Sequence, residues 1–292
     1  MAIYTGTQIS PTQVFVRSLV HTAHRLTSPG SEKVFSLPNN IRYACPISSE
    51  IAHQLTLGVE PLQHAVARQM LKPGDTFIDI GANRGLLTMV GARAVSPEGR
   101  VFAFEPCDRE VTALESNLNA NRIFNVGIFR KAVTDQNGRG RLAMAEDGLR
   151  NSLAETQHPG QKISNWFPIE LTTLDRFIGR VGSNSVRLIN IDVEGSELLV
   201  LRGGERMLSA ATAPTLLIKL NDLCAAGFRT AGARVVDHLT ALGYRVLELG
   251  VDPMHQHRLL LEKVERRTSY PDTLIVATKD VTSVNILHNG RW

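Results

Sequence analysis

The chain has 292 residues, 43% of them apolar and 21% charged, with a net charge of +4; this suits one large domain with a sizeable core plus an extension. No apolar run reaches the roughly 18 residues of a membrane span, and the N-terminus lacks a basic-then-apolar leader pattern, so a cytoplasmic chain is expected. The mild charge, 5% aromatics and lack of basic–aromatic interleaving argue against nucleic acid as a partner, and three scattered cysteines, Cys45, Cys107 and Cys224, suit reduced thiols.

Residues 1–45 are the least legible. Val34-Phe35-Ser36-Leu37, a turn at Pro38-Asn39-Asn40, and Ile41-Arg42-Tyr43 read as a hairpin. A helix is expected from Glu60 to Met70, with Leu62, Val66 and Met70 on one stripe. Residues 1–70 are expected to cap the site and to offer homodimer contacts, with 71–292 as the main domain.

The main domain opens with Thr76-Phe77-Ile78-Asp79-Ile80, then Gly81-Ala82-Asn83-Arg84-Gly85, then a helix over about 86–95. A strand, a glycine turn and a helix open a nucleotide-binding α/β unit. The glycines let backbone approach a ligand where a Cβ would clash. Thr88 stands where a pyrophosphate loop has its third glycine. The loop therefore suits a nucleoside without a pyrophosphate, S-adenosylmethionine being the common one, and disfavours an NAD-type oxidoreductase. Val101–Phe104 reads as a buried parallel strand ending in Glu105-Pro106. Glu105 lies 26 residues after Asp79 (105 − 79), about one β-α-β step. A carboxylate there can accept from both hydroxyls of a ribose; the plainer reading is a solvated acid.

A helix over 108–119 and a strand near 125–129 follow. The span 138–170 is too long for a simple crossover. Arg141–Met144 and Ile169–Leu171 are expected to pair, leaving 146–166 as a loop near the acceptor. The strand 186–191 runs into Asp192-Val193-Glu194-Gly195-Ser196-Glu197 and a helix over 196–208. Ligands sit outside the carboxyl ends of such strands, so Asp192 and Glu194 would face the reacting end; alternatively, Glu194 and Glu197 serve as helix-dipole partners. Strand 215–220, a helix over 230–242, and strands 244–249 and 273–277 complete an expected seven-stranded, mostly parallel sheet with one antiparallel strand.

Five stretches, IDIGANRG (78–85), FAFEP (102–106), KAVTDQNG (131–138), TTLDRFI (172–178) and NIDVEGSE (190–197), together resemble the FkbM family of S-adenosylmethionine-dependent methyltransferases. The resemblance implies a class I, Rossmann-like methyltransferase fold. It implies O-methylation of a hydroxyl on a small molecule, sugar or glycolipid. It also implies cofactor contacts from Asp79, Gly81, Asn83, Gly85, Glu105, Pro106, Ala132 and Asp192. The family usually carries Lys where Asn190 stands, Glu where Lys219 stands, and often His at Asn221. A catalytically impaired S-adenosylmethionine-binding protein is the alternative reading that these departures allow.

A sulfonium is a good leaving group, so methyl transfer mainly needs alignment. The acceptor hydroxyl must still lose its proton, to a base or with metal assistance. Asp192 is the first candidate, as base or metal ligand, with Glu194 beside it. Lys219 is expected in the same pocket, favouring an acceptor that carries a carboxylate or phosphate. Asp192, Asn221 and Asp222 form a candidate oxygen-ligand set for Mg²⁺. His255, with His257, is the other candidate base.

Overall fold

The computed structural model describes residues 2–4, 17–18, 21–23, 26–28, 30–57, 59–145, 153, 163–181, 186–251, 259–264 and 269–289. Its main sheet has strands β1 Thr76–Ile80, β2 Arg100–Phe104, β3 Val126–Phe129, β4 Val186–Ile191, β5 Thr215–Leu220, β6 Arg245–Val251, β7 Leu259–Lys263 and β8 Thr273–Thr278. Their spatial order is β7-β6-β8-β5-β4-β1-β2-β3. From β3 to β5 all neighbours are parallel, whereas β8 is antiparallel to β5 and β6, and β7 to β6. Chain order reverses between β1 and β4, which opens a crevice at their carboxyl ends. Eight strands replace the expected seven: Leu259, buried in the core, anchors β7 as an edge hairpin on β6.

Ten helices are described: α1 Glu50–Thr56, α2 Leu62–Met70, α3 Leu86–Ala94, α4 Asp108–Ala120, α5 Leu174–Val181, α6 Glu197–Gly203, α7 Glu205–Ser209, α8 Asp222–Ala225, α9 Gly232–Ala241 and α10 Val281–Asn289. None is long and apolar enough to cross a membrane among the described residues. The single helix expected over 196–208 is two, because Gly204 leaves the helical conformation at φ −114° and ψ 12°.

Alternation along each strand divides the core in two. Phe77, Leu188, Leu217 and Leu274 face one side with residues of α2 and α3. Ile78, Ile189, Ile218 and Ile275 face the other with residues of α5, α6 and α9. Phe35, Ile41, Tyr43, Leu62 and Met70 belong to the first layer. The segment from Phe35 to Met70 thus contributes to the core. Its hairpin pairs Glu32–Leu37 with Ile41–Pro46.

A side sheet joins Lys131–Val133, Gly138–Ala145 and Ile163–Thr172. The expected hairpin forms in a different register: Arg141 faces Pro168, and Ile169 faces Gly140. Its second strand begins at Ile163, inside the stretch expected to be loop; extended pairing with Gly138–Ala145 supplies backbone partners along that stretch.

Candidate active site

The carboxyl ends of β1, β2 and β4 surround a cleft of about 140 Å³. Gly81 and Asn83 enter from β1, Glu105 and Pro106 from β2, and Asp192 and Glu194 from β4, while Lys131, Ala132, Val133 and Leu142 line it from the side sheet. Glycine is required at position 81: its φ is +86°, and a Cβ would lie 2.0 Å from the Asp192 carbonyl oxygen. Only then can the ends of β1 and β4 converge.

Glu105 is buried, and its two oxygens accept from the Asn83 and Cys107 N–H groups, each at 2.9 Å. Two N–H bonds leave free lone pairs on a carboxylate, which lines the cleft. Burial raises its pKa to about 7, against the lowering effect of those two bonds. Phe104, Ala132, Val133 and Leu142 give an apolar wall beside it. An acid with spare acceptor capacity next to an apolar slot fits a nucleoside.

Asp79 and Gly85 take no part in that lining. Asp79 is sealed under the loop and accepts from Thr88 Oγ1 at 2.6 Å and Asn190 Nδ2 at 2.9 Å. Burial raises its pKa, opposed by these two bonds. Gly85 starts α3 with φ +84°, where a Cβ would strike Leu114 at 2.1 Å. Thr88 and Asn190 thus fill the space around the Asp79 carboxylate, and Leu114 fills the space beside Gly85.

On the same sheet face lie Asp192 and Lys219. Lys219 Nζ is 3.8 Å from Asp192 Oδ1, 3.9 Å from Glu194 Oε1 and 3.7 Å from Asp272 Oδ1. Its pKa is raised, chiefly by Asp192. Asp192 is pushed up to about 6 by removal from water, against the pull of Lys219 and with help from Glu194, Asp272 and Asp79. Glu194, at φ +50°, also accepts from the Cys224 thiol at 3.1 Å. Glu197, in the first turn of α6, accepts from Gly195 N–H at 2.9 Å.

Sequence reasoning missed Asp272. It precedes β8, and an antiparallel strand begins at the end where parallel neighbours finish; that topology was the available signal. With three carboxylates around it, Lys219 is already balanced, which removes the ground for expecting an anionic acceptor. Asn190 does not pair with Lys219: the β4–β1 register sets it opposite Asp79.

The Mg²⁺ set is corrected. Asp222 spends its oxygens on Gly232 N–H at 2.6 Å and Tyr270 N–H at 2.7 Å. Asn221 Oδ1 caps α8 through Leu223 N–H at 3.0 Å and Cys224 N–H at 3.4 Å. Neither converges with Asp192, and no group of three metal-type ligands occurs among the described residues. His255 and His257 lie outside the described residues.

A doubly wound sheet with an acid-tipped cleft at its reversal point defines a class I methyltransferase fold. Residues 79–246 match the Methyltransferase FkbM domain, and the chain belongs to that family. It is similar to the 2-O-methyltransferase NoeI of Sinorhizobium fredii, 27% identical over 153 residues, which are 47% of this chain and 60% of the relative. It is also similar to the 31-O-demethyl-FK506 methyltransferase FkbM of Streptomyces tacrolimicus, 29% identical over 174 residues, 49% of this chain and 64% of the relative. The chain thus spans about three fifths of the length of these relatives. Among solved structures, a SAM-dependent O-methyltransferase of Thermotoga maritima aligns over 84% of this chain and 77% of its own, at 16% identity and a TM-score of 0.41.

Proposed function

We propose that the chain is an S-adenosylmethionine-dependent O-methyltransferase acting on a hydroxyl of a small molecule, sugar or glycolipid. The observation that carries this is the shared cleft: Glu105, with lone pairs to spare, opens onto the same space as Asp192 and Glu194. Family membership and the names of two relatives, a 2-O-methyltransferase and a 31-O-demethyl-FK506 methyltransferase, support it. S-Adenosylmethionine, when bound, supplies an electrophilic methyl group.

Glu105 would accept from the ribose hydroxyls, and Phe104, Ala132 and Val133 beside it would hold the rest of the nucleoside. Gly81, Asn83 and Pro106 shape the mouth between them. Asp192 takes the proton of the acceptor hydroxyl. Its raised pKa of about 6 keeps it ionised at neutral pH yet more basic than an ordinary carboxylate. Lys219 holds Asp192, Glu194 and Asp272 together, which without a cation between them would repel. His255 is the second candidate for proton transfer.

All three departures from the family pattern are accommodated, Asn190 by Asp79, Lys219 by three acids and Asn221 by the amides it caps. That weakens the case for a catalytically impaired binder. Cys45, Cys107 and Cys224 are buried and form no disulfide.

The test pairs calorimetry with S-adenosylmethionine, S-adenosylhomocysteine and NAD with a methyl-transfer screen over glycosides, glycolipid precursors and hydroxylated polyketides. Binding of the first two but not NAD, with transfer to a hydroxyl, is expected. Binding of NAD alone would overturn the reading.

A further inference from the structure

Several side chains that the proposed chemistry does not use join the glycine loop to the N-terminal hairpin. Arg84 directly follows Asn83, which lines the cleft. Its Nε donates to Glu110 Oε2 and its Nη1 to Glu32 Oε1, each at 2.8 Å. Glu110 is buried on α4, whereas Glu32 sits on the exposed rim of the hairpin.

Asn117 of α4, also buried, donates from Nδ2 to the Arg84 carbonyl at 2.9 Å and to the Ala44 carbonyl at 3.2 Å. Its Oδ1 accepts from Ala44 N–H at 2.9 Å. Asn121 repeats the pattern on Arg42, accepting from its N–H and donating to its carbonyl, both at 2.7 Å. Two carboxamides one helical turn apart therefore bond the outer edge of strand Ile41–Pro46 as a neighbouring strand would. The spacing allows it: four helical residues rise about 6 Å, and two strand residues about 6.8 Å. Loop and hairpin thus share one clamp on α4, and Leu114 of the same helix blocks any Cβ at Gly85.

We propose that Asn117 and the Glu32–Arg84–Glu110 chain are positioning residues for the cofactor loop. The loop holds its ligand-binding form while the hairpin is docked, so a ligand in the cleft and docking of residues 32–46 stabilise each other, as linkage requires. The proposal rests on the reading of the cleft as an S-adenosylmethionine site.

The experiment follows amide hydrogen exchange in the full chain with and without S-adenosylhomocysteine, alongside binding and turnover for Glu32→Gln and Asn117→Ala. Saturating ligand is expected to slow exchange at Arg42 and Ala44 severalfold. Glu32→Gln is expected to weaken binding by up to about fivefold, the range of a partly exposed ion pair. Turnover at saturation and melting temperature should hold, a split that a purely structural role would not give. If the ligand protects Asn83 and Cys107 but leaves Arg42 and Ala44 unchanged, and Glu32→Gln binds normally, the coupling is refuted while the cleft assignment stands. If the ligand does not bind at all, both fall. Should Asn117→Ala fail to fold, Glu32→Gln on the exposed rim carries the test alone.

Discussion

Replacing Glu105 by Gln tests the cofactor end of the cleft. Glutamine can accept one of the two N–H bonds now made by Asn83 and Cys107; its amide NH₂ must face the other. That leaves a buried donor unpaired, at about 1–3 kcal/mol of stability. The lost charge-assisted bonds to a ribose diol are worth about 1.5–3 kcal/mol, or roughly 10- to 100-fold in affinity at about 1.4 kcal/mol per decade. There is also a pH signature. Burial pushes the Glu105 carboxyl up to about 7, and hydroxyl donors favour its ionised form. Affinity for S-adenosylhomocysteine should therefore fall as pH drops below that value, by up to about tenfold per unit. The Gln variant should lack this component. Calorimetry from pH 5.5 to 8.5 on both proteins gives the answer. Equal affinity and matching pH profiles would refute the assignment of Glu105 to the ribose.

At the chemical end, Asp192→Asn should cut turnover by about 10²–10⁴ while cofactor affinity changes little; equal losses in both would argue for a structural role. In the unmodified protein, turnover at saturation should rise as pH passes through about 6, where Asp192 ionises, and a profile flat from 5 to 8 would move the base elsewhere, first to His255. Glu197 has its folded pKa raised from 4.5 to about 7 by burial. Its contribution to stability is therefore full below about 4.5 and lost as pH rises through about 7. Glu197→Gln, which can still accept from Gly195, should be the more stable protein at pH 8, by at most on the order of 3 kcal/mol, with no gain at pH 4 in a denaturant titration. Asp222→Ala should unfold more readily, since two buried backbone N–H groups lose partners at about 1–3 kcal/mol each; a chelator should leave activity intact, and its abolition of activity with Mg²⁺ rescue would restore the metal reading.

The local sequence carried much of the fold. β1, β4 and β5 fall where apolar runs end in Gly81, Asp192 and Asn221, because a strand buried on both faces must be apolar along its length. Glycine at 81 and acids at 105, 192 and 194 mark the carboxyl ends of strands, so the cleft was legible from order and spacing. Their use was less so. Asp79 reads as a ligand contact in sequence, but its position on the strand turns it inward to Thr88 and Asn190. Asn221-Asp222 has the composition of a metal site; the turn into α8 aims both side chains at backbone amides instead. The N-terminal hairpin was visible, its docking was not, since Asn117 and Asn121 reveal nothing of a partner strand more than 70 residues away (117 − 44 = 73).

Periodicity and chain punctuation, which depend on neighbours along the chain, determined by themselves the strand–glycine–helix units, the doubly wound class and the acids at the strand tips. The tertiary structure alone decided which carboxylates share Lys219, that Asp272 arrives beside Asp192 from the other end of the chain, and that residues 35–70 complete the core. Those outcomes depend on strand order and register, and a charge's partner is set by distance through space, which spacing along the chain does not encode.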